Sequence, residues 1–193
     1  MGARALFVLS GVALLCLVSP VCLVSPAEAG PLVVPLKWTT TDGWKAQMPG
    51  DWRLARHKPY GPQKHLGRWR FESPHRNWEL SIRVAPDAGE DYQKAAADNI
   101  ERLKRRLDNQ KVHQKDVTAD GYVLLLQGDM VRKAQKHFYL VYRSMTRDTP
   151  NKLLYTLTLA ATGERLDSFT ALMKQISESF EPIAPAKQEQ AAP

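Results

Sequence analysis

Cysteine occurs only at positions 16 and 22, inside a stretch read below as a leader, so the rest of the chain has none. The folded part therefore has no disulfide, no thiolate nucleophile and no cysteine metal ligand. No Asn-x-Ser/Thr acceptor occurs, which leans away from a glycosylated secretion. No glycine-rich phosphate cradle, no Gly-x-Ser-x-Gly elbow and no repeat of the solenoid type is present. Carboxylates are also missing from two windows, residues 52–71 and residues 130–147. The first carries Arg53, Arg56, Lys58, Lys64, Arg68 and Arg70, and the second Arg132, Lys133, Lys136, Arg143 and Arg147. These eleven cations exceed the net charge of +7, so the remainder of the chain is net acidic. Charge is segregated along the sequence.

What is present begins with an address. Arg4 supplies a positive start, Leu6 to Val18 form an apolar run broken only by Ser10 and Gly11, and Ala27-Glu28-Ala29 gives a small-x-small step. That order predicts a signal peptide over 1–29 cut after Ala29, and a periplasmic or secreted protein. The run is too short for a membrane anchor. Leu15 and Val21 precede the two cysteines, where lipidation needs a small residue. One domain is expected over 30–183, followed by a disordered polar tail over 184–193.

Within the domain, periodicity sets the elements. Residues 31–37 read as an extended lead-in, 39–43 as a turn, and Trp44 to Met48 as a short strand ended by Pro49-Gly50-Asp51. Trp52 to Leu54 restart an extended segment, and 58–67 has loop composition. Trp69 and Phe71 alternate with Arg68, Arg70 and Glu72. After the turn at 73–77, Trp78, Leu80, Ile82 and Val84 alternate with Glu79, Ser81 and Arg83, which predicts a hairpin with one apolar face. Tyr92, Ala96, Ile100, Leu103 and Leu107 make a helical stripe ended at Asp108-Asn109, with Asp98–Arg102 and Glu101–Arg105 as solvated pairs. A weak strand over 111–117 and three clear ones over 121–131, 137–145 and 153–161 follow. Gly163 introduces a closing helix with the stripe Leu166, Phe169, Met173, Ile176 and Phe180. Strands, helix, strands, helix is an α+β order: a central antiparallel sheet with two main helices packed on it.

Two segments carry a family resemblance. Trp44-Lys-Ala-Gln-Met-Pro-Gly-Asp-Trp52 resembles the opening of the Mog1/PsbP-like superfamily, a strand running into a proline, a turn and a tryptophan. The ending from Phe169 through Met173 and Ile176-Ser-Glu-Ser-Phe180-Glu-Pro182 resembles its closing helix. The resemblance spans roughly residues 32–183 and implies a central antiparallel sheet with packed helices. It further implies an accessory or binding role in place of catalysis, and the superfamily includes exported bacterial members of unknown role. It supplies no site residues, and the photosystem and Ran-binding roles do not carry over.

The chemistry-bearing residues assemble no catalytic motif. Asp129, His137 and Ser144 are an imaginable triad, but His137 and Ser144 lie seven apart on one strand, on opposite faces. His57, His65, His75, His113 and His137 lack metal-ligand spacing. Glu72 and Glu79 flank one turn on the outward parity and balance Arg68, Arg70 and Arg83 across strands. Among the tryptophans, Trp69 and Trp78 read as core, and one of Trp38, Trp44 and Trp52 is free to line a groove. No cofactor is implied. The basic windows remain, with Arg53, Arg56, Lys58, Lys64, Arg68, Arg70, Arg132, Lys133 and Lys136 as candidate partner-binding residues. If the 54–67 loop and the 132–136 turn share one edge, their fields add and favour an anionic partner: an acidic protein, lipid headgroups or an envelope polymer. Export argues against nucleic acid. The competing reading is an envelope-acting hydrolase using carboxylates or loop histidines.

Overall fold

The computed structural model describes residues 35–89, 91–132 and 135–183. The expected leader and the expected tail lie outside the described residues, as do positions 31–34 of the lead-in.

Among the described residues, ten strands and two helices follow in the order β1 (Leu36–Thr40), β2 (Trp44–Pro49), β3 (Arg53–Pro59), β4 (Gly67–Glu72), β5 (Trp78–Pro86), α1 (Tyr92–Lys104), β6 (Asp108–Thr118), β7 (Gly121–Arg132), β8 (Gln135–Asp148), β9 (Leu153–Thr162), α2 (Leu166–Ser179) and β10 (Glu181–Pro182). They form two antiparallel sheets, one of three strands in the order β1-β2-β10 and one of seven in the order β3-β4-β5-β9-β8-β7-β6. The architecture is α+β, as the element order implies. The division into two sheets was not foreseen, because the two-residue β10 that joins β2 carries no periodicity to detect.

Alternation gives the large sheet two different faces. On one face Trp69, Phe71, Leu80, Ile82, Val84, Tyr155, Leu157, Leu159, Leu140 and Tyr142 form a core with Trp44, Ala46 and Met48 of the small sheet and with Phe169 and Ile176 of α2. Phe169 and Ile176 are fully buried, and the Phe169 ring stacks on Trp78 at 5.5 Å. The Ser179 hydroxyl accepts from the Gln47 amide at 2.9 Å, tying the end of α2 to β2. Gly163, with φ +75°, supplies the left-handed residue that turns β9 towards α2.

The other face is covered only in part. Asp91 caps α1 by accepting from the Lys94 amide at 3.1 Å. Tyr92, Ala96 and Ile100 of α1 then pack on Tyr122, Leu124, Leu126, Val141, Met145 and Leu154. Arg147 fixes the start of the helix, pairing with Asp87 at 2.7 Å and lying over the Tyr92 ring at 5.0 Å. Over β3, β4 and β5 no helix among the described residues covers this face.

Several sequence expectations are corrected in detail. Helix α1 ends at Lys104, so Leu107 is buried from the connecting turn, and Asp108-Asn109 opens β6. Glu101 pairs with Lys104 at 2.8 Å in place of Arg105, and this ion pair holds its carboxyl below the ordinary carboxylate range. Strand β3 runs on to Pro59, leaving only 60–66 as the turn. Thr39 and Thr40 extend β1, because the Thr41 hydroxyl, bonded at Trp44, makes the turn two residues later. Both outer strands carry a register shift, at Leu54/Arg56 in β3 and at Val112/Gln114 in β6. Burial raises the phenols of Tyr139, Tyr142 and Tyr155; for Tyr155 burial, with the Asp148 charge adding, brings it to about 12.

Candidate functional site

The uncovered face is built from the hairpin β3–β4 and its neighbour β5. Trp69 and Phe71 point into the core, so Arg68, Arg70 and Glu72 must project the other way. The bulge at Ala55 then decides β3. Leu54 pairs with Phe71 and His57 with Trp69 on the apolar side, while Arg53, Arg56 and Lys58 fall opposite Glu72, Arg70 and Arg68. Without the extra residue, Arg53 and Arg56 would point to opposite faces.

Four of the predicted residues meet here. Arg56, Lys58, Arg68 and Arg70 line one cavity of about 200 Å³. The register sets Arg56 directly across from Arg70, Lys58 across from Arg68, and Arg68 across from Arg83. Like charges directly opposite destabilise a sheet, so this arrangement is held against local repulsion. Part of the repulsion is offset: the Arg70 Nη2 lies 3.0 Å from Glu72 Oε1 and 2.9 Å from Glu79 Oε2. Arg68 Nε donates to the Ser81 hydroxyl at 2.8 Å, and the Arg83 guanidinium lies 5.7 Å over the Tyr60 ring. Arg56, Lys58 and Arg68 have no carboxylate within ion-pair distance among the described residues.

The other predicted residues lie elsewhere. Arg53 is exposed opposite Glu72, and Lys64 is exposed in the 60–66 turn. Lys136 is exposed on β8 opposite Val131. Arg132 closes β7 opposite Gln135, with its side chain outside the described residues, and Lys133 is outside them altogether. The expectation that the two basic windows share an edge is not met. Arg53 and Arg132 lie towards one end of the sheet and the 60–66 turn at the other, and β5 and β9 separate β4 from β8. At about 4.8 Å per strand, that separation is roughly 14 Å. Arg143 alone continues the cationic row, through Ser81 and Thr158.

A second cavity, of about 180 Å³, is lined by His75, Arg76, Asn77, Met130, His137 and Thr162. No sequence signal announced it, because these residues come from the β4–β5 turn and from the ends of β7, β8 and β9. Of the histidines, His75 and His137 meet in this cavity, while His57 stacks on Trp69 at 4.9 Å and His113 bonds Gln127 at 2.7 Å. Among the described residues no three His, Cys, Asp or Glu side chains cluster for a metal. Glu72 and Glu79 face each other across β4 and β5, both committed to Arg70. Asp129 accepts from Asn109 at 2.8 Å, and the register sets His137 opposite Met130 and Ser144 opposite Val123. Trp44, Trp52 and Trp69 are buried and Trp78 packs on the core. Trp38 is half exposed, with Lys45 over its ring at 5.4 Å. No helix among the described residues is long and apolar enough to cross a membrane.

No family model and no curated protein matches this chain. Solved structures do. A variant of the protein Mog1 superposes with a TM-score of 0.56 at 9% identity, covering 79% of this chain and 97% of that one. The Ran-binding protein Mog1p of Saccharomyces cerevisiae gives 0.54 at 10% identity, covering 77% and 95%. This chain has the Mog1 fold. The resemblance to the Mog1/PsbP-like superfamily drawn from its two ends therefore holds at the level of architecture. LpqN of Mycobacterium tuberculosis, described as involved in cell envelope biogenesis, gives a TM-score of 0.44 at 14% identity, covering 77% of this chain and 85% of that one.

Proposed function

We propose that this chain is an exported, non-catalytic binding or accessory domain whose uncovered β3–β5 face engages an anionic partner. The observation that carries the reading is the stacking of like charges across strands around one concavity, with three cations lacking carboxylate partners. A surface with no ligand gains nothing from such an arrangement and loses stability by it. The sequence pattern read as a leader over 1–29 supports export, and a Mog1-fold protein that is by name Ran-binding supports a binding role for the architecture without naming a partner here.

The test is binding to anionic and zwitterionic vesicles and to an acidic polymer, at about 0.1 M and about 1 M salt. The Debye length falls from about 10 Å to about 3 Å between them. Binding to the anionic surfaces is expected at the lower salt and its loss at the higher. The pair Arg56→Glu and Lys58→Glu, on an exposed edge strand, is expected to weaken it at least tenfold while the protein stays folded. Binding that ignores both salt and these substitutions would end the reading.

A further inference from the structure

We infer that the cavity of Arg56, Lys58, Arg68 and Arg70 receives a single tetrahedral dianion, a phosphomonoester-type group, on the outward nitrogens of Arg68. The inference rests on the proposed anion-binding role and specifies its chemistry. Size comes first. The cavity holds about 200 Å³. That admits a phosphate with its ester carbon, but it falls short of the roughly 300 Å³ at which pockets begin to enclose whole small molecules.

Charge comes next. Arg70 is shared between Glu72 and Glu79, so its charge is largely spent, while Arg56, Lys58 and Arg68 remain uncompensated. A lone carboxylate would leave most of that charge unbalanced, whereas a dianion comes close to matching it.

Donor geometry then separates a tetrahedral group from a planar one. Arg68 Nε is occupied by the Ser81 hydroxyl at 2.8 Å, which leaves its two terminal nitrogens for a ligand. Ser81 itself is buried, so it acts as a positioning residue that holds the guanidinium plane. Arg56 and Lys58 add donors from the adjacent strand, about 4.8 Å away. Donors arriving from two strands suit an anion with three free oxygens spread in space. A carboxylate has two oxygens in one plane and is satisfied by one guanidinium fork.

The probes are inorganic phosphate, sulfate and acetate, titrated into the full chain at neutral pH and constant ionic strength. Heat is measured together with the NMR signals of the arginine Nε groups. Phosphate and sulfate are expected to saturate and to shift Arg68, with acetate at least tenfold weaker. Arg68→Lys keeps the charge and loses the fork, and is expected to weaken phosphate about tenfold. Ser81→Ala is expected to weaken it several-fold with the Arg68 Nε signal moved in the free protein, a change that a purely structural role of Ser81 would not give. Acetate equal to phosphate, or Arg68→Lys equal to the unmodified protein, overturns the inference. If salt-sensitive vesicle binding persists in that case, the broader reading stands; if it is also missing, both fall. Phosphatidic acid vesicles from which free phosphate displaces the protein identify a headgroup source. Phosphate binding without vesicle binding identifies a soluble one, and both outcomes support the inference.

Discussion

Replacing Phe169 by alanine removes a fully buried ring from beneath α2. The ring stacks on Trp78 at 5.5 Å with planes only 15° apart, inside a core shared by both sheets. Deleting a buried phenylalanine side chain costs about 3–5 kcal/mol. The aromatic pair adds about 0.5–1.5 kcal/mol to its burial alone. We place the loss at about 4 kcal/mol, since the site is enclosed by strands on one side and helix on the other. For a domain of this size each kcal/mol moves the Tm by about 2–4 °C, so the expected drop is about 8–16 °C. Thermal unfolding of the full chain by far-UV circular dichroism reads it directly, with Phe169→Leu expected to lose less than about 1.5 kcal/mol. Because the sheet lies between Phe169 and the cationic face, anion binding well below the midpoint should be unchanged. A drop under about 3 °C would refute the placement of α2 and with it the division of the sheet into an apolar and a polar face.

Gly121→Ala would drive its Cβ into the Met145 carbonyl oxygen; a loss of about 3 kcal/mol is expected in urea unfolding, and an unchanged midpoint would contradict the β7–β8 register. Tyr155, pushed up to about 12 from its ordinary 10.0, stays neutral in the fold while the unfolded chain ionises. Stability should therefore be full below about pH 10 and fall as pH rises towards 12. The Tyr155→Phe protein should lose less over that window and nothing at neutral pH, its hydroxyl having no hydrogen-bond partner among the described residues; parallel urea titrations from about pH 9 to about pH 12 decide it. Asp91→Ala should cost about 1 kcal/mol through the lost cap on α1, and an equal midpoint would show that the cap is idle.

How much of this was legible varies by element. Strands β4, β5 and β9 announce themselves because Trp69, Phe71, Leu80, Ile82, Leu157 and Leu159 alternate with polar residues on a sheet buried on one side. Both helices show their stripes for the same reason. Of the site, the sequence shows the cations of β3 and β4 but not that they meet, since the pairing of Arg56 with Arg70 depends on one extra residue at Ala55. Cross-strand register is a long-range property, and nothing local encodes it. The supposed union of the two basic windows failed on the same ground: β8 reaches β5 only through β9, which follows it in the chain. The second cavity was invisible because His75, Met130 and His137 share no local pattern.

The two outermost strands have a consequence for self-association. Each presents a row of backbone donors and acceptors to water, the kind of border on which another sheet can grow. Here each border is kinked by an inserted residue and studded with long cations, Arg53, Arg56 and Lys58 on one side and Lys111 and Lys115 on the other. A second molecule approaching either rim would meet a broken ladder, and at β3 its own repelling charge as well. Both borders are thereby poor templates for a further strand.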